Sequence, residues 1–379
     1  SPRECSFESW QGECVAFANC AYAVNKQLSE FLTPEAFQDI TKRGKACDNH
    51  GKGSGLCCEK SGILESKSTP AVIHVKVPEA TTELATSPRP PVADLFEHPN
   101  YKVFKNAKCG TSVLLDRIAN GENATLNEFP WAAQLGYDSL GETDYDCAGT
   151  IISEFYVLTA AHCLVALPRN KKLKTVRLGE WNTLTEVDCV YDEDEEENVC
   201  AGPLQDISVK SFIAHPQYNR QTIHNDIGLV QLNQGANFKQ KNIKPICMPF
   251  EPETMIMPDD FTVIGWGRTQ NSSGSTILQK ASLNVYDQNK CEEKFSKSKL
   301  VLNDGQFCAV GKKKADACKG DSGSSIQSQI SINGKSKMVQ YGIVSFGVAS
   351  CGVLEGYPGI YTKVQPYLSW MLDNTVADT

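Results

Sequence analysis

Three short stretches of this sequence carry residues suited to chemistry. They are Gly320-Asp321-Ser322-Gly323, Thr159-Ala160-Ala161-His162-Cys163, and the apolar run opened by Asp226. Acyl transfer by a serine hydroxyl needs a base for its proton, a group that orients the base, and N–H donors for the oxyanion. The candidates stand in the order His162, Asp226, Ser322, separated by 64 and then 96 residues. Singly, each has a plainer role. A histidine beside a cysteine is often structural, an aspartate before a strand is often a solvated turn residue, and Gly-Asp-Ser-Gly also reads as a β-turn. Together they make a complete set, and the glycines around Ser322 let the backbone approach a substrate carbonyl.

Such a set needs a rigid frame, and the sequence predicts one made of strands. From about residue 118, short apolar runs alternate with turn signals at 129–137, 149–161, 174–181, 207–216, 226–232, 261–267, 337–347 and 359–364. Helix-like sequence is confined mainly to 364–374, so a β-barrel or sandwich is expected. Residues 5–58 hold six cysteines in a unit too small to bury much core, and sequence alone leaves their fifteen pairings open. Residues 59–108, rich in Pro, Ser and Thr, read as an extended linker with one short strand near Val72.

Sixteen cysteines and the sequons at Asn123 and Asn271 point to an oxidising, secreted setting. No cysteine pairs stand at structural-zinc spacing. A net charge of −8 argues against a nucleic-acid surface, and no apolar run is long enough for a membrane helix. The chain opens Ser1-Pro2-Arg3 with no apolar leader, so a mature chain that has lost a secretion signal is expected. Parity adds a further inference. The first six cysteines can pair among themselves, Cys109 then stands alone before residue 118, and nine follow. If all pair internally, at least one bridge joins Cys109 to the large domain. Cleavage at Arg117-Ile118 would then leave two chains linked by a disulfide, as a zymogen requires.

Residues 109–379 resemble the chymotrypsin-like serine proteases, through Arg117-Ile118, Phe129-Pro130-Trp131, the three stretches above, Ile264-Gly265-Trp266-Gly267 and Pro358-Gly359-Ile360. The six-cysteine region resembles a clip domain, and the two together resemble arthropod clip-domain protease zymogens. The resemblance implies a mainly β fold, a double six-stranded β-barrel with a C-terminal helix, plus a disulfide-knotted N-terminal domain. The implied boundaries are a clip domain at 1–58, a linker at 59–108 and a protease domain at 109–379. By that resemblance Ser322 is the nucleophile, His162 its base, Asp226 the orienter, and the N–H groups of Gly320 and Ser322 the oxyanion hole. Asp316 would lie at the base of the substrate pocket, with Ser345, Phe346, Gly347 and Gly359 along it, favouring Arg or Lys before the cut bond. After cleavage at Arg117, the new amino group of Ile118 would pair with Asp321.

The family pattern implies the bridges Cys109–Cys247, Cys147–Cys163, Cys291–Cys308 and Cys318–Cys351. Cys189 and Cys200 remain and are paired across an extra loop. Clip domains imply Cys5–Cys57, Cys14–Cys47 and Cys20–Cys58. Between Cys189 and Cys200 run six acids, 192–197. They read as a solvated loop or interaction surface. In many relatives, however, the loop beginning near Glu180 binds calcium, which makes Glu180 a candidate ligand for a structural ion; the chemistry itself requires no cofactor.

Four positions depart from the family pattern. Ser324 and Ser325 replace Gly-Pro, Phe346 replaces a tryptophan, and Gly228 replaces an alanine. None removes a catalytic atom, so an active secreted endopeptidase in an extracellular cascade is expected, in innate immunity rather than development. Its implied partners are protein substrates cut after Arg or Lys, an upstream trypsin-like activator and a serpin inhibitor, with no nucleic acid and no membrane. The alternative is a weak or inactive homologue that serves as a cascade cofactor.

Overall fold

The computed structural model describes residues 3–7, 10–15, 56–59, 92–105, 108–111, 122–168, 170–192, 196–267, 274–295, 301–311, 320–347 and 357–376. Two compact units divide the chain, with the main boundary between Pro88 and Arg89. In the first, β1 (Arg3–Phe7), β2 (Trp10–Val15) and β3 (Leu56–Glu59) form an antiparallel sheet in that order. The side chains of its cysteines lie outside the described residues, as do Cys20 and Cys47 entirely.

The second unit begins inside the stretch expected to be a linker. Residues 92–105 are not extended. Val92–Glu97 forms a short helix, α1, followed by a 3-10 turn at Pro99–Val103. Leu95 and Phe104 are buried in the main core, and the Tyr101 ring meets Phe250 edge-on at 5.3 Å. Asn100 Nδ2 donates to Leu372 O at 3.0 Å. A few apolar side chains with somewhere to dock outweigh the extended bias of the surrounding prolines.

The first barrel is built from β5 (Ala132–Ser139), β6 (Glu142–Ile151), β7 (Tyr156–Thr159), β8 (Lys171–Leu178), β11 (Gln205–Ala214) and β12 (Gly228–Leu232). These close in the order β11-β12-β7-β6-β5-β8 around Leu135, Val157, Val176, Ile207 and Leu229. A separate exposed hairpin, β9 (Cys189–Asp192) and β10 (Glu197–Cys200), is clamped by Cys189–Cys200 and carries the acidic run.

The second barrel uses β13 (Asp260–Gly265), β14 (Gln279–Tyr286), β15 (Gln306–Gly311), β16 (Ser325–Ile332), β17 (Lys335–Phe346) and β18 (Gly359–Lys363). Their order is β13-β16-β17-β18-β15-β14, closed by β13–β14, with β4 (Glu122–Asn123) added beside β14. Tight turns set the registers. Between β16 and β17, Asn333 and Gly334 take φ of 51° and 71°, the left-handed pair that a two-residue hairpin needs. This is the double six-stranded barrel that the resemblance implies, and it ends on the expected helix at Leu368–Asp373.

Two further α-helices among the described residues lie outside the sequence expectation. His162–Val165 is a single turn, and Gln288–Phe295 starts where Asp287 accepts from Lys290 N at 2.9 Å. Disulfides join Cys109 to Cys247, Cys147 to Cys163 and Cys291 to Cys308. Cys318 and Cys351 lie outside the described residues.

Candidate functional site

His162 opens its one-turn helix directly after the buried strand β7. The bridge from Cys163 to Cys147 on β6 and the hydrogen bond from Tyr137 Oη to Cys163 O at 2.9 Å hold that turn in place. Burial, helped by the charge of Asp146, pushes the Tyr137 phenol far up, so its hydroxyl stays protonated and donating. His162 is buried, with 8% of its surface exposed.

Asp226 precedes β12 and is fully buried, and each of its carboxylate oxygens is used. Oδ1 accepts from His162 N at 2.9 Å. Oδ2 lies 2.8 Å from His162 Nδ1 and accepts from Ser345 Oγ at 2.5 Å. A carboxylate accepts and cannot donate. The contact therefore places the imidazole proton on Nδ1 and leaves the Nε2 lone pair for the proton of a nucleophile.

The backbone around Asp226 is held from the second barrel. Thr362 Oγ1 donates to Asp226 O at 3.0 Å. Tyr367 Oη donates to Asn225 Oδ1 at 2.9 Å, and its phenol is pushed up to about 12 by burial and by the Asp226 charge. Gln306 Nε2 donates to Ile223 O at 3.1 Å. Ile223 has φ of 52° and Asn225 of 55°. For a β-branched residue that is strain of about 1–3 kcal/mol, which the surrounding hydrogen bonds must outweigh. Gly228 has a local reason. A methyl group there would lie 2.4 Å from Leu164 Cδ1, so Leu164, two residues after His162, occupies the space.

Ser322 sits in the tight turn before β16. Its carbonyl accepts from Ala148 N at 2.8 Å, and Cys163 Sγ lies 3.7 Å from the same oxygen. The turn that carries Ser322 therefore abuts the turn that carries His162. Gly320 and Gly323 flank it with φ of 105° and 85°. A side chain at 323 would run into Ala148 O at 2.3 Å, so glycine is required by space as well as by conformation.

Asp321 is buried, and its Oδ1 accepts from Gly267 N at 2.7 Å. Gly265 and Gly267 make room for it, since a methyl at 265 would meet Asp321 Oδ1 at 1.9 Å. Arg117, Ile118 and Asp316 lie outside the described residues, and so does Asn271. Of the other pocket candidates, Ser345 is buried, Phe346 half-buried and Gly347 exposed at the end of β17. Gly359 is buried, and a methyl there would meet Tyr361 Oη at 2.7 Å. Asn123 is exposed, with its Oδ1 accepting from Gln279 Nε2 at 2.7 Å.

Glu180 has a neighbour that the sequence reading did not single out. Glu180 and Asp188 are both buried. Both accept from Trp181 N at 3.1 Å. Burial first, and then the Asp188 charge, raise the Glu180 pKa, while Arg177 Nη1 at 3.5 Å opposes the shift. Two buried carboxylates brought together beside Arg177 offer oxygen donors of the kind that calcium takes. An acid directly before Cys189 was the available signal for Asp188. Thr362 and Gln306 had no local signal.

Comparison with known proteins places this geometry. The trypsin family model matches residues 118–371. A CLIP domain-containing serine protease B9 of Anopheles gambiae is 34% identical, over 96% of this chain and 90% of the relative. The Spaetzle-processing enzyme of Drosophila melanogaster is 33% identical, over 95% and 88%. Among solved structures, the Drosophila Grass clip serine protease of the Toll pathway aligns with a TM-score of 0.63 at 29% identity, covering 98% of this chain and 96% of that one.

Proposed function

Because the chain belongs to the trypsin family and, within it, to the arthropod clip-domain serine proteases, we propose that it is a secreted zymogen which, once cut after Arg117, hydrolyses protein substrates after Arg or Lys. The observation that carries this reading is the site around Asp226. One buried carboxylate takes the His162 backbone, the His162 ring and Ser345, and the Ser322 turn is docked on the same side of the first barrel.

In this mechanism Ser322 Oγ attacks the scissile carbonyl as His162 Nε2 takes its proton. Asp226 stabilises the imidazolium, and the N–H groups of Gly320 and Ser322 receive the oxyanion. The leaving amine takes the proton from His162, and water then repeats the sequence on the acyl-enzyme. Asp316 selects the cationic side chain. The Ile118 amino group pairs with Asp321 after cleavage and orders the turn beside Ser322. One relative is a Spaetzle-processing enzyme and another a Melanization protease, which supports an immune proteolytic cascade as the setting. An upstream trypsin-like activator and a serpin complete the proposed partners. Among the described residues no helix is long and apolar enough to cross a membrane.

The test is to cut the protein with a trypsin-like activator and verify Ile118 as the new N-terminus. Hydrolysis of arginyl and phenylalanyl amides is then compared. Arginyl turnover at least about 10²-fold above phenylalanyl is expected from the pocket carboxylate. Correct cleavage with neither turnover nor labelling by a serine-directed phosphonate would instead assign a non-catalytic cofactor.

A structural calcium ion at Glu180 and Asp188 is part of the proposal and has its own test. The folded protein retains the Glu180 proton at pH values where the unfolded chain has released it. In chelator, stability should therefore fall as pH rises from the ordinary glutamate range through the raised folded value, and the loss is complete above it. Saturating calcium should restore several degrees of Tm at pH 7 and little at pH 4, and Glu180→Gln should remove most of that difference. An equal calcium response in Glu180→Gln, measured by calorimetry, would place the ion elsewhere.

A further inference from the structure

The serines that follow the nucleophile have separate fates. Ser324 is buried, and its Oγ has no hydrogen-bond partner. Ser325 is engaged. Ser325 and Gln327 lie two residues apart on β16, so their side chains share a face of the strand, and they are 1% and 0% exposed. The Gln327 Oε1 atom accepts from Ser325 Oγ at 3.2 Å and from Trp131 Nε1 at 2.6 Å.

Trp131 belongs to the other barrel. It immediately precedes β5, is fully buried, and accepts from Ile151 N at 3.0 Å through its own carbonyl. The indole is thus fixed at both ends, its backbone to β6 and its ring nitrogen to β16. A backbone tie from Ala148 N to Ser322 O runs across the same seam.

This seam matters because the reacting groups are divided across it. His162 and Asp226 are carried by the first barrel, while Ser322 is carried by the chain entering β16 in the second. Their spacing depends on how the two barrels register. On the serine protease reading above, we propose that Ser325, Gln327 and Trp131 form a buried latch that holds the Ser322 strand in register with the barrel carrying His162. Ser325 and Gln327 are then positioning residues. The hydroxyl at 325 does what an imino acid at that place cannot, since it donates to the latch acceptor. Ser324 lies outside the latch, and its hydroxyl can be removed without orphaning a partner.

The test uses the cleaved full-length protein with an arginyl amide substrate. Competent sites are counted by phosphonate titration, so turnover per site is separated from loss of folded protein. A misplacement of about 1 Å can cost about 10²-fold in rate, and a loosened latch is expected to cost about ten-fold. Gln327→Met and Trp131→Phe should each lower kcat by about that factor with KM changed less than about two-fold. Ser325→Ala should lower kcat about three-fold, and Ser324→Ala should leave it unchanged. The Trp131→Phe, Gln327→Met double variant should be no slower than the slower single variant, because the interaction can be lost only once.

Additive losses, an unchanged kcat, or a loss confined to KM would overturn the latch. Should the Trp131 or Gln327 variants fail to fold, Ser325→Ala alone decides by the same kcat and KM comparison. Absence of turnover in the unmutated protein would defeat the catalytic reading instead. In that case the latch is judged by urea midpoints of the same variants, where additive shifts overturn it and non-additive shifts support it.

Discussion

Ser322→Ala is expected to abolish arginyl-amide turnover after correct cleavage at Arg117, by about 10⁶-fold in kcat where nucleophile and base act as a unit. The substitution is clean in this structure. The contacts that shape the turn are backbone ones: Ala148 N to Ser322 O, Gly323 N to Val344 O, and Ser324 N to Asp321 O. None involves the Ser322 hydroxyl, and alanine asks for no new space, so activation cleavage and Tm should be unchanged. Residual rate of about 10³–10⁴ over water would come from the oxyanion donors and binding alone. Mass spectrometry after phosphonate treatment should find the label on Ser322 in the unmutated protein and none on the variant. Labelling or turnover retained in Ser322→Ala would place the nucleophile elsewhere.

Asp226→Asn should lower kcat by about 10⁴-fold with folding largely intact, and here the structure says why the amide cannot substitute. Three donors converge on the carboxylate: His162 N and His162 Nδ1–H on separate oxygens, and Ser345 O–H sharing one of them. An amide offers one oxygen and one NH2 group. With the NH2 toward Nδ1, the imidazole must turn its lone pair to Nδ1 and put its proton on Nε2, which then cannot accept from Ser322. With the NH2 toward the His162 backbone, two donors face each other in a fully buried place, at a cost of about 1–3 kcal/mol. The first arrangement is the cheaper, so the tautomer is wrong in most molecules. The fall should lie in kcat, since Asp226 is fully buried and its carboxylate is spent on the His162 backbone, the His162 ring and Ser345 rather than on substrate. A variant within ten-fold of the unmutated rate would mean that Asp226 does not orient the base.

These two candidates, with His162, stand out in the sequence because each sits in a short stretch whose local geometry demands its neighbours. Ser322 needs Gly323, since any side chain there would strike Ala148 O. His162 stands beside a cysteine that locks its turn to β6. The alternation of apolar runs and turns likewise carried the barrels, because a strand with one face in a core must repeat every two residues. The stretch at 92–105 was misread for a related reason. Its proline-rich surroundings describe the unfolded preference well, but Leu95 and Phe104 found a surface that no local pattern reveals.

What the sequence by itself determined is the family and the kind of frame, with a candidate serine, histidine and aspartate in a set order on it. What only the tertiary structure decided is how they are held. Thr362 reaches Asp226 across 136 residues of chain and Trp131 reaches Gln327 across 196, while Asp188 comes to lie beside Glu180. Such pairs depend on barrel closure and on the register between barrels. These are global properties that short-range spacing cannot encode, since a strand shifted by one residue turns every side chain to the opposite face.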